Sequence, residues 1–127
     1  MSIGGKKIIK LTPDSILNMI TEFDIYKFYM PHQGWKINVV TYSPFRNEKN
    51  PSFLIGYNGG ALRFVDFGDS SKKGGCINFV MMLFSISLND ALLMIDRDFD
   101  LGIVSGSSTK EYQRIVSNYT QPEATSK

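Results

Sequence analysis

Soft metal ligands are almost absent from this chain of 127 residues, which has one cysteine, Cys76, and one histidine, His32. That excludes an internal disulfide framework and leaves too few sulfur and imidazole donors for a structural zinc site; any metal would be held mainly by oxygen. Long apolar runs are missing too. The longest, from Cys76 to Ile86, is interrupted by Asn78, too short for a membrane span of about 20 residues. The opening MSIGGKKIIK carries charge but has no continuous apolar stretch and no small-residue cleavage site, so a cytoplasmic protein is expected. Excess charge is also scarce. A formal net charge of +2 does not by itself argue for nucleic acid, but the distribution is uneven. From Lys36 to Phe79 six basic residues face three acidic ones, whereas from Val80 onward four face six. The middle of the chain is the part suited to phosphate.

What is present suits one domain with a real core, at 43% hydrophobic residues. Thr12, Pro13 and Asp14 form a helix start, with a capping hydroxyl, a ring preset for the first turn and a carboxylate at the positive dipole end. Ile16, Ile20 and Phe23 recur at helical spacing, and Thr21 with Asp24 offers a second start that would divide this stretch in two before Pro31 and Gly34 end it. WKINVVTYS, from Trp35 to Ser43, suits a strand or extended segment. SFLIG and ALRFVDF flank YNGG, whose Asn58, Gly59 and Gly60 predict a tight hairpin. After Gly74 and Gly75 the period becomes helical, with Ile77, Val80, Met81 and Phe84 on one face. Ser87 and Asp90 start a further helix carrying Leu88, Ala91, Leu92 and Ile95, closed by Phe99 and Leu101 and stopped at Gly102. The expected domain is 1–102, with its core at 12–102. Residues 103–127 read as a linker and tail, beginning near SGSSTK, with at most a weak helix around Glu111 to Asn118.

One stretch carries a resemblance. Ser43 to Phe53 reads SPFRNEKNPSF, and Asp66 to Asp69 reads DFGD ahead of Gly74, Gly75 and Ile77, Asn78, Phe79. From about Ile16 to Gly102 the chain resembles the N-terminal zinc-binding domain of bacterial and phage DNA primases, whose corresponding segments read C-P-F-H-N-E-K-T-P-S-F and C-F-G-C. Eight of the eleven positions in the first segment agree. All four metal-ligand positions differ, being Ser43, Arg46, Asp66 and Asp69, as in zinc-less variants of phages and mobile elements. The resemblance implies an α+β fold, a zinc-ribbon-like small antiparallel sheet flanked by helices, without the metal or any other cofactor. It also implies binding of single-stranded DNA template in primer synthesis, beside a primase catalytic domain or helicase, in the host cytoplasm if the protein is phage-encoded. An arginine facing two aspartates can make the tie the metal makes; alternatively these three are solvated loop charges.

Binding a single strand needs cations for phosphates and flat side chains for bases. The candidates are Arg46, Lys49, Arg63, Lys72 and Lys73, with Trp35 and Tyr57; Tyr42 and Phe64 are further aromatics in the same segment. Strand alternation turns Arg63 and Val65 one way and Leu62, Phe64 and Asp66 the other. Phe45, Phe53, Phe67 and Phe79 read as core. SSKKGG, before a helix, is either a phosphate cradle or a plain turn. Asp96, Asp98 and Asp100 superficially resemble a metal-binding D-x-D but follow a capped helix, where they are expected to solvate its end. Cys76 reads as packing and His32 has no visible partner, so no catalytic residue is assigned. The competing reading is a metal-free ribbon retained as a protein-interaction module on replication or defence proteins. A catalytic remainder beyond residue 127 is a third possibility.

Overall fold

The computed structural model describes residues 10–104; of the linker and tail expected over 103–127, residues 105–127, with the helix around Glu111 to Asn118, lie outside them. Helix α1 (Pro13–Leu17) starts at Thr12, whose hydroxyl accepts from the Ser15 amide at 3.0 Å while Ser15 Oγ accepts from the Thr12 amide at 2.9 Å. Helix α2 (Glu22–Tyr29) is a separate element because Thr21 and Asp24 repeat this reciprocal cap, at 3.0 Å in each direction. Strands β1 (Phe53–Asn58) and β2 (Ala61–Asp66) form an antiparallel hairpin in which Asn58 opposes Ala61. The intervening Gly59 and Gly60 have φ of +66° and +84°, the positive pair that a two-residue turn requires. Strand β3 (Lys73–Gly74) adds to the other side of β2, giving the order β1-β2-β3. Helix α3 (Cys76–Phe84) ends at Ser85, in the left-handed region at φ 56°, and α4 (Leu88–Asp98), capped by Ser87 Oγ on the Asp90 amide at 3.1 Å, leaves at 102° to it. The fold is α+β. No single described helix is long and apolar enough to cross a membrane.

The helices cover one face of the sheet. Phe53 and Ile55 of β1 and Leu62 and Phe64 of β2 point into the core with Tyr26, Phe79, Val80 and Ile95, following the two-residue period of a strand. Phe53, Phe64 and Phe79, with half-buried Phe45, form an aromatic cluster with centroids 5.5–6.1 Å apart. Burying each such ring contributes about 2–3 kcal/mol. Helix α2 also closes the β2 edge beyond the short β3: Glu22 Oε1 accepts from the Leu62 amide at 3.0 Å, and the buried Tyr26 hydroxyl donates to the Leu62 carbonyl at 3.0 Å. Both backbone groups thereby acquire partners.

Four expectations change. Trp35 to Ser43 is not a strand. It turns at Asn38, φ 67°, and touches β1 through a single bridge of Thr41 with Phe53, at 2.7 and 2.9 Å, and an Asn38 amide bond to the Ile55 carbonyl at 2.8 Å. Leu88, at the first turn of α4, faces outward. Phe64 and Phe67 exchange expected roles: Phe64 is 2% exposed and Phe67 62% exposed, because the inward row of β2 is the even-numbered one. Asp96 does not solvate a helix end. It is buried and accepts from the Ile103 and Val104 amides at 2.9 and 3.1 Å, so it fastens the chain leaving α4.

Candidate functional site

Three of the four positions that match ligand positions by resemblance, Ser43, Arg46 and Asp66, hold a polar knot with Asp66 at its centre. Asp66 ends the inward row of β2 and is fully buried. Arg46 grips it with both arms of the guanidinium, Nη1 to Oδ2 and Nη2 to Oδ1, each at 2.7 Å. Ser43 Oγ donates to Oδ2 at 2.7 Å and the Gly68 amide to Oδ1 at 2.9 Å. A planar fork on a carboxylate with further donors around it is what a desolvated anion requires. Burial by itself would push the Asp66 carboxyl up; the hydrogen bonds from Arg46, Ser43 and Gly68 outweigh it and hold the group below its ordinary value.

Glu48, one of the agreeing positions of the first segment but given no role there, joins the knot. It accepts from Ser52 Oγ at 2.6 Å, the Ser43 amide at 2.6 Å and Arg46 Nη2 at 3.1 Å. The Ser52 bond comes first among the causes that hold its carboxyl low. Asp69, expected beside Arg46, is elsewhere. Its Oδ1 accepts from the Ser71 amide and hydroxyl at 3.1 and 2.7 Å, and its other oxygen lies 3.9 Å from Lys72 Nζ, so its own turn has claimed it. Gly68 packs against Arg46 so closely that a β-carbon there would fall on the guanidinium. Among the described residues no three His, Cys, Asp or Glu side chains gather as a metal site.

The other face of the sheet is open. A groove of about 710 Å³ crosses it, lined by Arg63 and Val65 of β2, Leu54, Gly56, Tyr57 and Asn58 of β1, Lys73 and Gly74 of β3, and Asn38. It fits because Gly56 has no side chain: a β-carbon there would collide with the Asn38 amide oxygen. Among the described residues no carboxylate lines the groove. Arg63 and Lys73 are exposed, and their charged groups make no hydrogen bond or ion pair with another described residue. Tyr57 lines one end of the groove, but opposite Leu62 its ring, 63% exposed, stands in the row of Phe53 and Ile55, on the side of the helices.

Over 115 residues, 88% of its length, the chain is 29% identical to a DNA primase of Chlamydia pneumoniae, and it spans 18% of that protein. It is thus similar to a region of a primase. No protein-family model matches it, and no solved structure does.

Of the seven residues expected to touch nucleic acid, Arg63 and Lys73 come together in the groove, and Tyr57 lines it while its ring stands in the opposite row. The other four do not line it. Arg46 is committed to Asp66, Glu48 and Ser52. Lys72 lies 5.9 Å over the Phe45 ring, near Asp69. Trp35 is half-buried against Phe23, with centroids 5.7 Å apart, and Lys49 is exposed but outside the groove lining. SSKKGG contributes Lys73 as a strand residue, while the Gly75 amide at the start of α3 is met by Asn78 Oδ1 at 3.3 Å. Asn38 was missed in the sequence; its signal is only that an asparagine tolerates positive φ. Of the acidic trio, Asp98 accepts from the Tyr29 hydroxyl at 2.7 Å and pairs with Arg97, and Asp96 is fastened as above. Both carboxylates hold the end of α4. Cys76 is buried, and burial, with Glu22 nearby, pushes its thiol up to about 12, which leaves it a packing residue.

Proposed function

We propose that the open sheet face binds single-stranded DNA, and that the chain is a template-engaging element of a primase-type replication protein without catalytic groups of its own. The observation that carries this is the pair Arg63 and Lys73, two cations without partners among the described residues, on a groove that no described acid lines. Phosphates satisfy the cations, an interaction that tolerates any sequence. Similarity to a DNA primase over 88% of the chain supports the replication context. In this reading a primase catalytic domain or a helicase supplies the chemistry, in the cytoplasm, which is the host's if the protein is phage-encoded.

The test is fluorescence anisotropy with a labelled oligothymidylate at several salt concentrations. Binding that weakens linearly in log salt, and that weakens further in Arg63→Ala and Lys73→Ala, is the expected result. Absence of binding at low salt would reject the reading in favour of a protein-docking module.

A further inference from the structure

Asn38 brings a carboxamide to the open groove that the fold itself does not use. Its backbone is pinned: φ is 67°, and its amide donates to the Ile55 carbonyl at 2.8 Å. Its side chain lies over Gly56, with the carboxamide oxygen where a β-carbon would otherwise crowd it, and makes no hydrogen bond with another described residue. Gly56 opposes Arg63, and the next outward pair along the hairpin is Leu54 with Val65, both half-buried. Such pairs recur every second residue, about 7 Å apart. Lys73 stands beside Val65 on β3. The carboxamide is therefore neighbour to a small apolar floor that has Arg63 next to it along β2 and Lys73 next to it across the sheet. Those parts match one nucleotide: a floor for the face of a base, cations for its phosphates, and an amide for the base edge. Floor and cations accept any base, whereas a donor and an acceptor on one rigid group distinguish one edge from another.

We propose that Asn38 is a base-reading residue: one base of the single strand lies on Leu54 and Val65 with its edge on the Asn38 carboxamide. Adenine is the preferred base, because its N7 accepts and its N6 amino group donates side by side, the pair an asparagine meets with both arms. This rests on the single-strand reading above and deepens it, from a contact driven by cations alone to one with a preference at a single position.

Oligothymidylates carrying one central adenine, cytosine or guanine, competing against a labelled oligothymidylate, test this. The adenine strand is expected to bind the wild type about tenfold tighter than the all-thymine strand. Asn38→Gly keeps the positive φ at no steric cost; it should lose that preference while binding the all-thymine strand with the affinity and salt slope of the wild type. Asn38→Asp tolerates the same φ and keeps the shape of the side chain but has no amino group to donate, so it should lose the preference too. Melting curves check that both variants fold, and either one that does suffices for the comparison. If the wild type binds all four strands equally, or if a folded variant keeps the adenine preference, the base-reading role is wrong; the single-strand reading then stands as long as Arg63→Ala still weakens binding. If no oligonucleotide binds the wild type, both fall together.

Discussion

Arg46, on the loop before β1, and Arg63, on β2, have the same chemical credentials, yet their surroundings are opposite. Arg46 meets Asp66 twice, Glu48 and Ser52, and its position is over-determined. Arg63 meets no charged group among the described residues and looks across a groove that none of their acids lines. Counting cations along the sequence treats the two alike. Counting acceptors around each separates an arginine spent on holding loops from one free to hold a ligand.

Substitutions can break this contrast, and the largest effect belongs to the knot. Asp66→Ala should destabilise by about 2–3 kcal/mol in denaturant melts, since it removes the common acceptor of Arg46, Ser43 and Gly68. Combined with Arg46→Ala, the double variant should lose clearly less than the sum of the two, and additivity would mean that aromatic packing holds the loops instead. Gly68→Ala changes no charge but crowds the guanidinium; about 1–2 kcal/mol is expected, read as a lower melting temperature. Acid should act on the same groups. Asp66 and Glu48 are held low in the fold, so their contribution is complete above the unfolded carboxyl value near 4 and is lost as pH falls through the lower folded values. A melting-temperature profile from pH 7 to 2 should drop in that acid window, and less steeply in Asp66→Asn. The smallest stability effect belongs to the other arginine: Arg63→Ala with Lys73→Ala should stay within about 0.5 kcal/mol of wild type. On the proposed function, the same pair makes the salt slope of oligonucleotide binding shallower by about 1.4.

What was legible in the sequence was mostly local. Thr12, Thr21 and Ser87 announce helix starts because a cap needs only its neighbours, and Gly59 with Gly60 announces the hairpin because only the turn's own dihedrals matter. The alternation on β2 gave the directions of Arg63 and Phe64 correctly, and applying it one residue further would have turned Phe67 outward. What stayed hidden depends on distance in space. Asp66 and Asp69 are equivalent in sequence, but only Asp66 stands on the inward row where Arg46 and Ser43 reach it. Glu48 enters through Ser52 and the Ser43 amide, contacts that no spacing rule contains. The stretch from Trp35 to Ser43 has strand-like composition, but its turn at Asn38 leaves one bridge to β1 in place of a ladder. The groove was half legible: its cations were expected, whereas its shape depends on Gly56 yielding space to Asn38.

That short bridge has a consequence for how the molecule behaves in a crowd. β1 is an outer strand, and an outer strand with bare amides and carbonyls invites a second chain to pair with it. Here Thr41 takes both polar groups of Phe53, and the Asn38 amide takes the Ile55 carbonyl, so the segment acts as a cover over most of the inner half of the strand. What remains uncovered runs toward Tyr57 and Asn58, where the chain turns away at two glycines. A neighbour seeking to extend the sheet finds too few consecutive free groups to nucleate on, and aggregation by strand addition is denied its template.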